Sequence, residues 1–316
     1  GGTPIGFGFS NNNLPGVIDW LSNGNMTNAE LAFFNANYVN YHPGSLEPDA
    51  VSFLYSDIAV ASLDTPANGI PTWALMFSAL PAPEAIDDAN GTGYHVTITG
   101  YGRNGAGAEG SVNGIDFRRR VAENIVGGLA SLDQFENFLF GGNSTTYPQN
   151  LYWIDFDDPT RQDVFDFNAW KDDGLPNEGI TAGGDSGGPL ILDDTFDTPV
   201  VLGVLSGGYT RFFNGQGPNS YGTASFYQPL YLYWDWIVEN NPYRYVAAQE
   251  GDGAWEDPEH WVTTLDPMYM VLDENGNLVN GLPTLLGQGK TGNDGTFGQA
   301  CYEVPGYSEC QDMSTG

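Results

Sequence analysis

The chain has 316 residues, and its 40 acidic residues against nine Lys and Arg give a formal net charge of −31. Such an excess of negative charge repels nucleic acid and anionic membrane surfaces, so we expect neither as a partner. The hydrophobic content of 41% is sufficient for a large core in at most two domains. Glycines and prolines recur between short apolar or aromatic stretches, which is typical of a mostly β protein with long loops.

Short elements are predicted in chain order. We expect residues 3–9 to form a strand and residues 28–37 to form a helix. The alternating β-branched residues of the segment at 96–102 predict a half-buried strand. A second helix is predicted over residues 231–239, and residues 270–279 predict a hairpin with an Asn-Gly turn.

The most distinctive segment is residues 183–190, with the sequence GGDSGGPL. A serine on a tight turn exposes its hydroxyl, and the flanking glycines let backbone N–H groups approach a substrate carbonyl. This segment resembles the nucleophile loop of chymotrypsin-fold (trypsin-like) serine proteases. The resemblance implies that Ser186 is the nucleophile and that the N–H groups of Gly184 and Ser186 form the oxyanion hole.

Further segments resemble the same family in the same order. Residues 56–63 (SDIAVASL) resemble the segment that carries the catalytic aspartate, which implies that Asp57 orients the catalytic histidine. Residues 96–102 resemble the strand that opens the second barrel, and residues 201–208 (VLGVLSGG) resemble the strand that pairs with a substrate peptide. The implied fold is mostly β: a chymotrypsin-like double β-barrel with an incomplete first barrel, a C-terminal helix and a small β-rich C-terminal module.

The family resemblance also implies a position for the substrate pocket. Ile180 occupies the pocket base, and Ser206, Gly208 and Ser225 are the expected wall residues. Because these positions supply no carboxylate, we expect a preference for small or medium apolar side chains rather than Lys or Arg.

The catalytic histidine has no clear counterpart among the three histidines of the chain. His42 is a candidate base, but its sequence context resembles the strand leading to Asp57, and it lies too close to that residue along the chain. We expect His95 and His260 to be structural. The expectation is therefore that the chain begins after the catalytic histidine, is inactive alone, and has its own cleaved N-terminal fragment as a partner.

The pattern changes beyond residue 246, which predicts a protease domain at 1–246 and a β-rich module at 247–316. The module resembles tryptophan-bearing segments that follow protease domains in bacterial surface proteins, including autotransporter passengers, so a following β-solenoid is a further expected partner. Cys301 and Cys310 are expected to form a disulfide, which suits an extracellular or cell-surface protein. The acidic spacing in the segment at 270–279 suggests calcium, with a plain turn as the alternative; no other metal or cofactor is expected.

Two functions follow from these features. The first is a secreted serine endopeptidase that hydrolyses peptides or proteins through an acyl-enzyme on Ser186. The second is a noncatalytic extracellular adhesin or filament subunit that reuses the protease fold. The intact Ser186 and Asp57 favour the enzyme, whereas the missing base favours the noncatalytic protein.

Overall fold

The computed structural model describes residues 3–46, 56–83, 93–284, 297–304 and 306–313. Strands account for 37% of the structure and helices for 14%, so the prediction of a mostly β fold is confirmed. No helix within these described ranges is long and apolar enough to cross a membrane.

The strands and helices are short and follow one another along the chain. The strands are β1 (Gly6–Gly8), β2 (Phe33–Tyr41), β3 (Ala59–Leu63), β4 (Ala74–Met76), β5 (Tyr94–Gly100), β6 (Asn104–Ala106), β7 (Gly110–Asn113), β8 (Arg120–Val126), β9 (Gly128–Ser131), β10 (Asn150–Asp155), β11 (Pro189–Leu192), β12 (Val200–Tyr209), β13 (Ala224–Pro229), β14 (Tyr245–Ala248), β15 (Trp261–Thr264), β16 (Tyr269–Leu272), β17 (Leu278–Asn280), β18 (Gln299–Val304) and β19 (Tyr307–Asp312). The helices are α1 (Leu14–Ser22), α2 (Leu132–Phe140) and α3 (Trp234–Asn240), with 3-10 turns at Ala29–Leu31, Pro43–Leu46, Leu230–Leu232 and Pro258–His260.

A ten-stranded sheet contains the strands on either side of the GGDSGGPL loop. Strand β11, which follows the loop, pairs antiparallel with β5 and with β12. Strand β12 continues antiparallel to β13, and β13 pairs with β10. A separate three-stranded sheet has the order β1-β2-β3, and β3 begins two residues after Asp57.

The core of the large sheet is built from apolar runs on its central strands. Leu190 and Leu192 on β11 and Val200 on β12 are completely buried, as expected for strands covered on both faces. The aromatic segment at 226–233 is also buried and packs into the core before α3 begins. The helix predicted at 231–239 is therefore present as a 3-10 turn followed by α3.

The helix predicted at residues 28–37 is wrong. Asn28 caps a single 3-10 turn, and Ala32 then adopts a left-handed conformation with φ of 50°, which ends it. Phe33 and Phe34 are buried and pair with β1, so the following residues form β2 instead. Pairing and burial of the two phenylalanines outweigh the local helix preference.

The segment after residue 246 adds strands to the fold. Strand β16 pairs in parallel with β4 and forms the predicted hairpin with β17, so both belong to the ten-stranded sheet. Strands β18 and β19 form a hairpin joined by a Cys301–Cys310 disulfide with an S–S distance of 2.01 Å. Ala300 of this hairpin bridges to Trp170 and is completely buried. The proposed division at residue 246 stays a prediction.

Candidate active site

Asp185 anchors the loop that carries Ser186. Its Oδ1 accepts the N–H of Gly102 at 2.7 Å, and its Oδ2 accepts the N–H of Ala182 at 2.9 Å. A side chain at Gly100 would place Cβ 2.0 Å from Asp185 Oδ1, so this approach requires glycine. The carboxylate therefore ties the loop to the end of β5, and Ser186 next to it is exposed.

Three backbone N–H groups of the loop lack a described acceptor. Asp185 N–H donates to Ala182 O at 3.0 Å and Gly188 N–H donates to Asp185 O at 2.8 Å, whereas the N–H groups of Gly183, Gly184 and Ser186 donate to no group in the described part of the chain. Gly184 has a φ of +103°, a conformation that L side chains rarely adopt. The N–H groups of Gly184 and Ser186 are therefore available to bind a carbonyl oxygen or an oxyanion.

Strand β12 connects the serine loop with Asp57. Gly187 N–H donates to Leu205 O at 2.9 Å, and Leu205 N–H donates to Gly188 O at 2.8 Å. The next residue on β12, Ser206, donates from Oγ to Oδ2 of Asp57 at 2.9 Å. Two segments that are far apart in the sequence therefore meet on the same stretch of β12.

Asp57 is half-buried at this position. Its burial raises the pKa of the carboxyl above the usual value, and the hydrogen bond from Ser206 opposes this by lowering the pKa. The hydroxyl thus stabilises the ionised form of Asp57.

A buried polar network lies behind the Asp57–Ser206 pair. Gln228 donates from Nε2 to Ser206 Oγ at 3.2 Å, and Gln228 Oε1 lies 3.0 Å from the hydroxyl of Tyr233. The N–H of Ser56 donates to the Tyr233 hydroxyl at 2.8 Å. Sequence reasoning missed Gln228 and Tyr233 as site residues because they lie in an aromatic run whose pattern indicates only core packing.

The candidate base His42 packs among aromatic side chains near α3, and its role as a base stays a prediction. Its Nδ1 accepts the N–H of Gly44 at 3.1 Å. Its ring makes edge contacts with Tyr233 and Trp236 at centroid distances of 5.2 Å and 5.3 Å. The imidazole is thus part of the packing around α3.

The other two histidines also lie elsewhere. His95 Nδ1 lies 3.1 Å from Asp194 Oδ2, and the His260 ring lies 6.2 Å from that of Trp261. Among the residues that the structure describes, no hydrogen bond or ion pair joins a histidine to Asp57 or Ser186. The Ser186 loop and Asp57 thus both bond to β12, and no histidine of the chain is described as hydrogen-bonded to either.

A cavity of about 280 Å³ lies beside the serine loop. Its lining includes Ile180, Thr181, Ala182, Asp185, Glu178 and Arg120. Ile180 therefore faces a cavity, whereas Ser206, Gly208 and Ser225 are not in its lining. Gly208 pairs with Ser225 across β12 and β13, and the Ser225 and Thr181 hydroxyl oxygens are 2.8 Å apart.

Glu178 gives the cavity a carboxylate that the predicted pocket lacked. Its Oε1 and Oε2 accept the N–H groups of Asp157 and Leu175, both at 2.6 Å. Burial, with the charge of Asp157 as a second cause, raises the pKa of Glu178 to about 8. The backbone thus engages both oxygens of this group.

The carboxylate of Asp273, in the segment suggested for calcium, is engaged in a turn. Its Oδ1 accepts the N–H groups of Asn275 and Asn277, both at 2.8 Å, and its Oδ2 accepts Nδ2 of Asn277 at 3.1 Å. These bonds explain the tight turn between β16 and β17. Calcium at residues 273–279 stays a prediction.

No family model matches this chain. A search of curated proteins finds no match either. The functional assignment therefore rests on the residues and geometry described above, and the resemblance to chymotrypsin-fold proteases stays a prediction.

Proposed function

We propose that the chain is the nucleophile-bearing part of a secreted serine endopeptidase with a chymotrypsin-like double β-barrel. The observation that carries the proposal is the hydrogen bond from Ser206 to Asp57, because Ser206 directly follows the residue that pairs with the Ser186 loop. The N–H groups of Gly184 and Ser186, which have no acceptor among the described residues, add support. The Cys301–Cys310 disulfide is consistent with an extracellular or cell-surface setting.

The proposed reaction is acyl transfer. Ser186 Oγ attacks the peptide carbonyl while a histidine takes its proton, and the same histidine then protonates the leaving amine. Water hydrolyses the resulting acyl-enzyme. The N–H groups of Gly184 and Ser186 stabilise the oxyanion, and Asp57 accepts the N–H of the imidazole.

The histidine lies outside these 316 residues in this proposal. The three histidines of the chain have other contacts, and a serine hydroxyl is a weak nucleophile without a base. A cleaved N-terminal fragment that binds beside Asp57 would supply the imidazole. The isolated chain would then have little activity.

The edge of β12 fits the binding of an extended peptide. Strand β11 pairs with β12 only as far as Val204, so Gly207 and Gly208 have no described strand partner on that edge. A substrate strand could pair there through backbone hydrogen bonds. Ile180 lies in the adjoining cavity together with Glu178, so the expected preference for a small or medium apolar substrate side chain stays a prediction.

Labelling with a fluorophosphonate probe tests the proposal. The natively isolated protein is compared with Ser186→Ala, and co-purifying peptides are identified by mass spectrometry. Ser144→Ala, at an exposed loop serine, is the matched control and should keep wild-type labelling. Ser186-dependent labelling together with a histidine-bearing peptide is the expected result.

The absence of a described histidine contact at Ser186 favours a second candidate function. A noncatalytic extracellular adhesin or filament subunit could bind peptides at the β12 edge without cleaving them. Wild-type protein that shows no labelling and carries no co-purifying peptide would overturn the protease proposal in favour of this one.

A further inference from the structure

A second group of carboxylates lies on the segment that leads from β10 towards the Ser186 loop. Asp155 ends β10, Asp157 follows two residues later, and Asp172 lies further along. All three side chains are buried, and one carboxylate oxygen from each lies within 4.8 Å of the others. Oxygens at this spacing can surround one calcium ion at the usual ligand distance of about 2.3–2.6 Å.

Two oxygens of this group have no hydrogen-bond donor in the described residues. They are Oδ1 of Asp155 and Oδ2 of Asp172, on side chains that are 1% and 5% exposed. The second oxygen of Asp155 accepts the N–H of Trp170 at 2.8 Å, so the side chain is fixed in place. Buried polar atoms are almost always paired, so buried carboxylate oxygens without a donor are candidate ligands for a cation.

Protein cations compensate only part of this negative charge. The guanidinium of Arg161 bonds to both oxygens of Asp157 and lies 3.1 Å from Asp166. It reaches Asp172 only at the backbone carbonyl, with a distance of 2.6 Å. No described hydrogen bond or ion pair connects Arg161 with the side chains of Asp155 or Asp172.

We propose that Asp155, Asp157 and Asp172 bind a calcium ion. The donors are all carboxylate oxygens, which select hard cations over zinc or copper. Calcium fits better than magnesium because magnesium sheds its water reluctantly and this site is buried. The ion would pair with the two unpartnered oxygens and share Asp157 with Arg161.

Calcium here would stabilise the segment that forms one wall of the cavity beside Ser186. The side chain of Glu178 accepts the N–H of Asp157, and its backbone forms a parallel β-bridge with Glu123 on β8. Ile180, two residues after Glu178, lines the cavity. Fixing residues 155–178 therefore fixes the approach to the serine loop. The proposal does not depend on the protease assignment, because the ion would bind whether or not Ser186 is catalytic.

Calcium binding is tested on the full chain after removal of metal with EDTA. Thermal unfolding is measured during a calcium titration, and terbium luminescence excited through tryptophan reports binding directly, with Trp170 adjoining the site. We expect Tm to rise by about 5 °C at a calcium concentration roughly 100 times Kd. Ser186→Ala should give the same calcium response, which separates this test from that of the protease proposal.

Asp172→Asn is the decisive variant. It removes one charge from the ligand set, so calcium affinity should fall on the order of tenfold or more. The metal-free variant should be at least as stable as the metal-free wild type, because repulsion between buried carboxylates is relieved. Asp155→Asn is expected to behave in the same way and serves if the first variant does not fold.

Asp194→Asn is the matched control. Asp194 belongs to the other described group able to hold a metal, with His95 and Asp193, but it is exposed. This variant should keep the wild-type calcium response. The proposal is overturned if stripped wild type shows neither a Tm shift nor saturable terbium luminescence, or if Asp172→Asn and Asp155→Asn respond like wild type.

Discussion

Ser206 donates a hydrogen bond from Oγ to Oδ2 of Asp57 at 2.9 Å, joining β12 to the segment before β3. The contact matters for the charge of Asp57 because burial alone would favour the protonated acid. An ionised carboxylate is the form that orients an imidazole in acyl transfer. The hydroxyl of Ser206 is therefore a positioning group for the proposed chemistry.

Ser206→Ala should raise the pKa of Asp57 further, because the bond that lowers it is removed. The variant also leaves Nε2 of the fully buried Gln228 without this acceptor, which should reduce the free energy of unfolding by about 1–3 kcal/mol. A carboxyl whose pKa is higher in the folded state than in the unfolded state stabilises the fold at a pH below the unfolded-state pKa. This stabilisation is lost as the pH rises through the folded-state pKa. The destabilisation should thus be larger at pH 7 than at pH 3.

NMR titration of the Asp57 carboxyl and urea unfolding at the two pH values check these expectations. Ser225→Ala is a suitable control because its hydroxyl lies beside Thr181 and not beside Asp57. An Asp57 pKa that is the same in Ser206→Ala and wild type would contradict the role assigned to the hydroxyl.

Tyr233→Phe should disturb the same network from its other side. The change leaves the buried N–H of Ser56 without its acceptor, and we expect a loss of about 1–3 kcal/mol in unfolding free energy. Burial raises the pKa of Tyr233 to about 12, so the hydroxyl is neutral at pH 7 and can accept this bond. Tyr38→Phe, at an exposed tyrosine, should change stability by less than about 0.5 kcal/mol. Equal effects of the two variants in urea unfolding would argue against the network.

Gly184→Ala should impair the proposed oxyanion hole. The added Cβ would lie 2.8 Å from Cδ1 of Ile115, and the residue has a φ of +103°. Displacing one oxyanion donor typically lowers the rate by about 10²–10³. We therefore expect the rate of fluorophosphonate labelling at Ser186 to fall by roughly this factor.

Gly141→Ala is the matched control for backbone strain. Gly141 also has a positive φ, of +64°, but open space surrounds the position of its Cβ. It ends α2 on a different part of the chain and should lower stability without slowing the labelling. A similar slowing in both variants would show that general destabilisation, and not the oxyanion hole, explains the effect.

The sequence predicts the elements whose signals are local. The half-buried strand predicted at residues 96–102 overlaps β5, and the predicted hairpin turn at Asn275 lies between β16 and β17. Helix α2 was missed although Ser131 and Gln134 form a capping box, which is a readable N-terminal signal. The helix predicted at residues 28–37 failed because strand pairing outweighs propensity there.

The site contacts were less accessible to sequence reasoning. Asp57 and Ser206 are 149 residues apart in the sequence, and no spacing rule predicts that they meet. The group formed by Asp155 and Asp172 is equally hidden, because 40 acidic residues make any single carboxylate unremarkable in the sequence. Burial, an oxygen without a donor and membership of one cluster with Asp157 together distinguish these two from the rest.

His42→Phe tests whether the base belongs to this chain. Phenylalanine keeps the ring that packs against Tyr233 and Trp236 and loses the acceptor for the Gly44 N–H. We expect the variant to keep fluorophosphonate labelling within a few-fold of wild type, with a stability loss of about 0.5–1.5 kcal/mol from the missing hydrogen bond. Loss of a true catalytic base lowers the rate by several orders of magnitude, so the two roles differ by far more than the error of a labelling assay. A collapse of labelling in a folded His42→Phe protein would identify His42 as the base and remove the need for a second polypeptide.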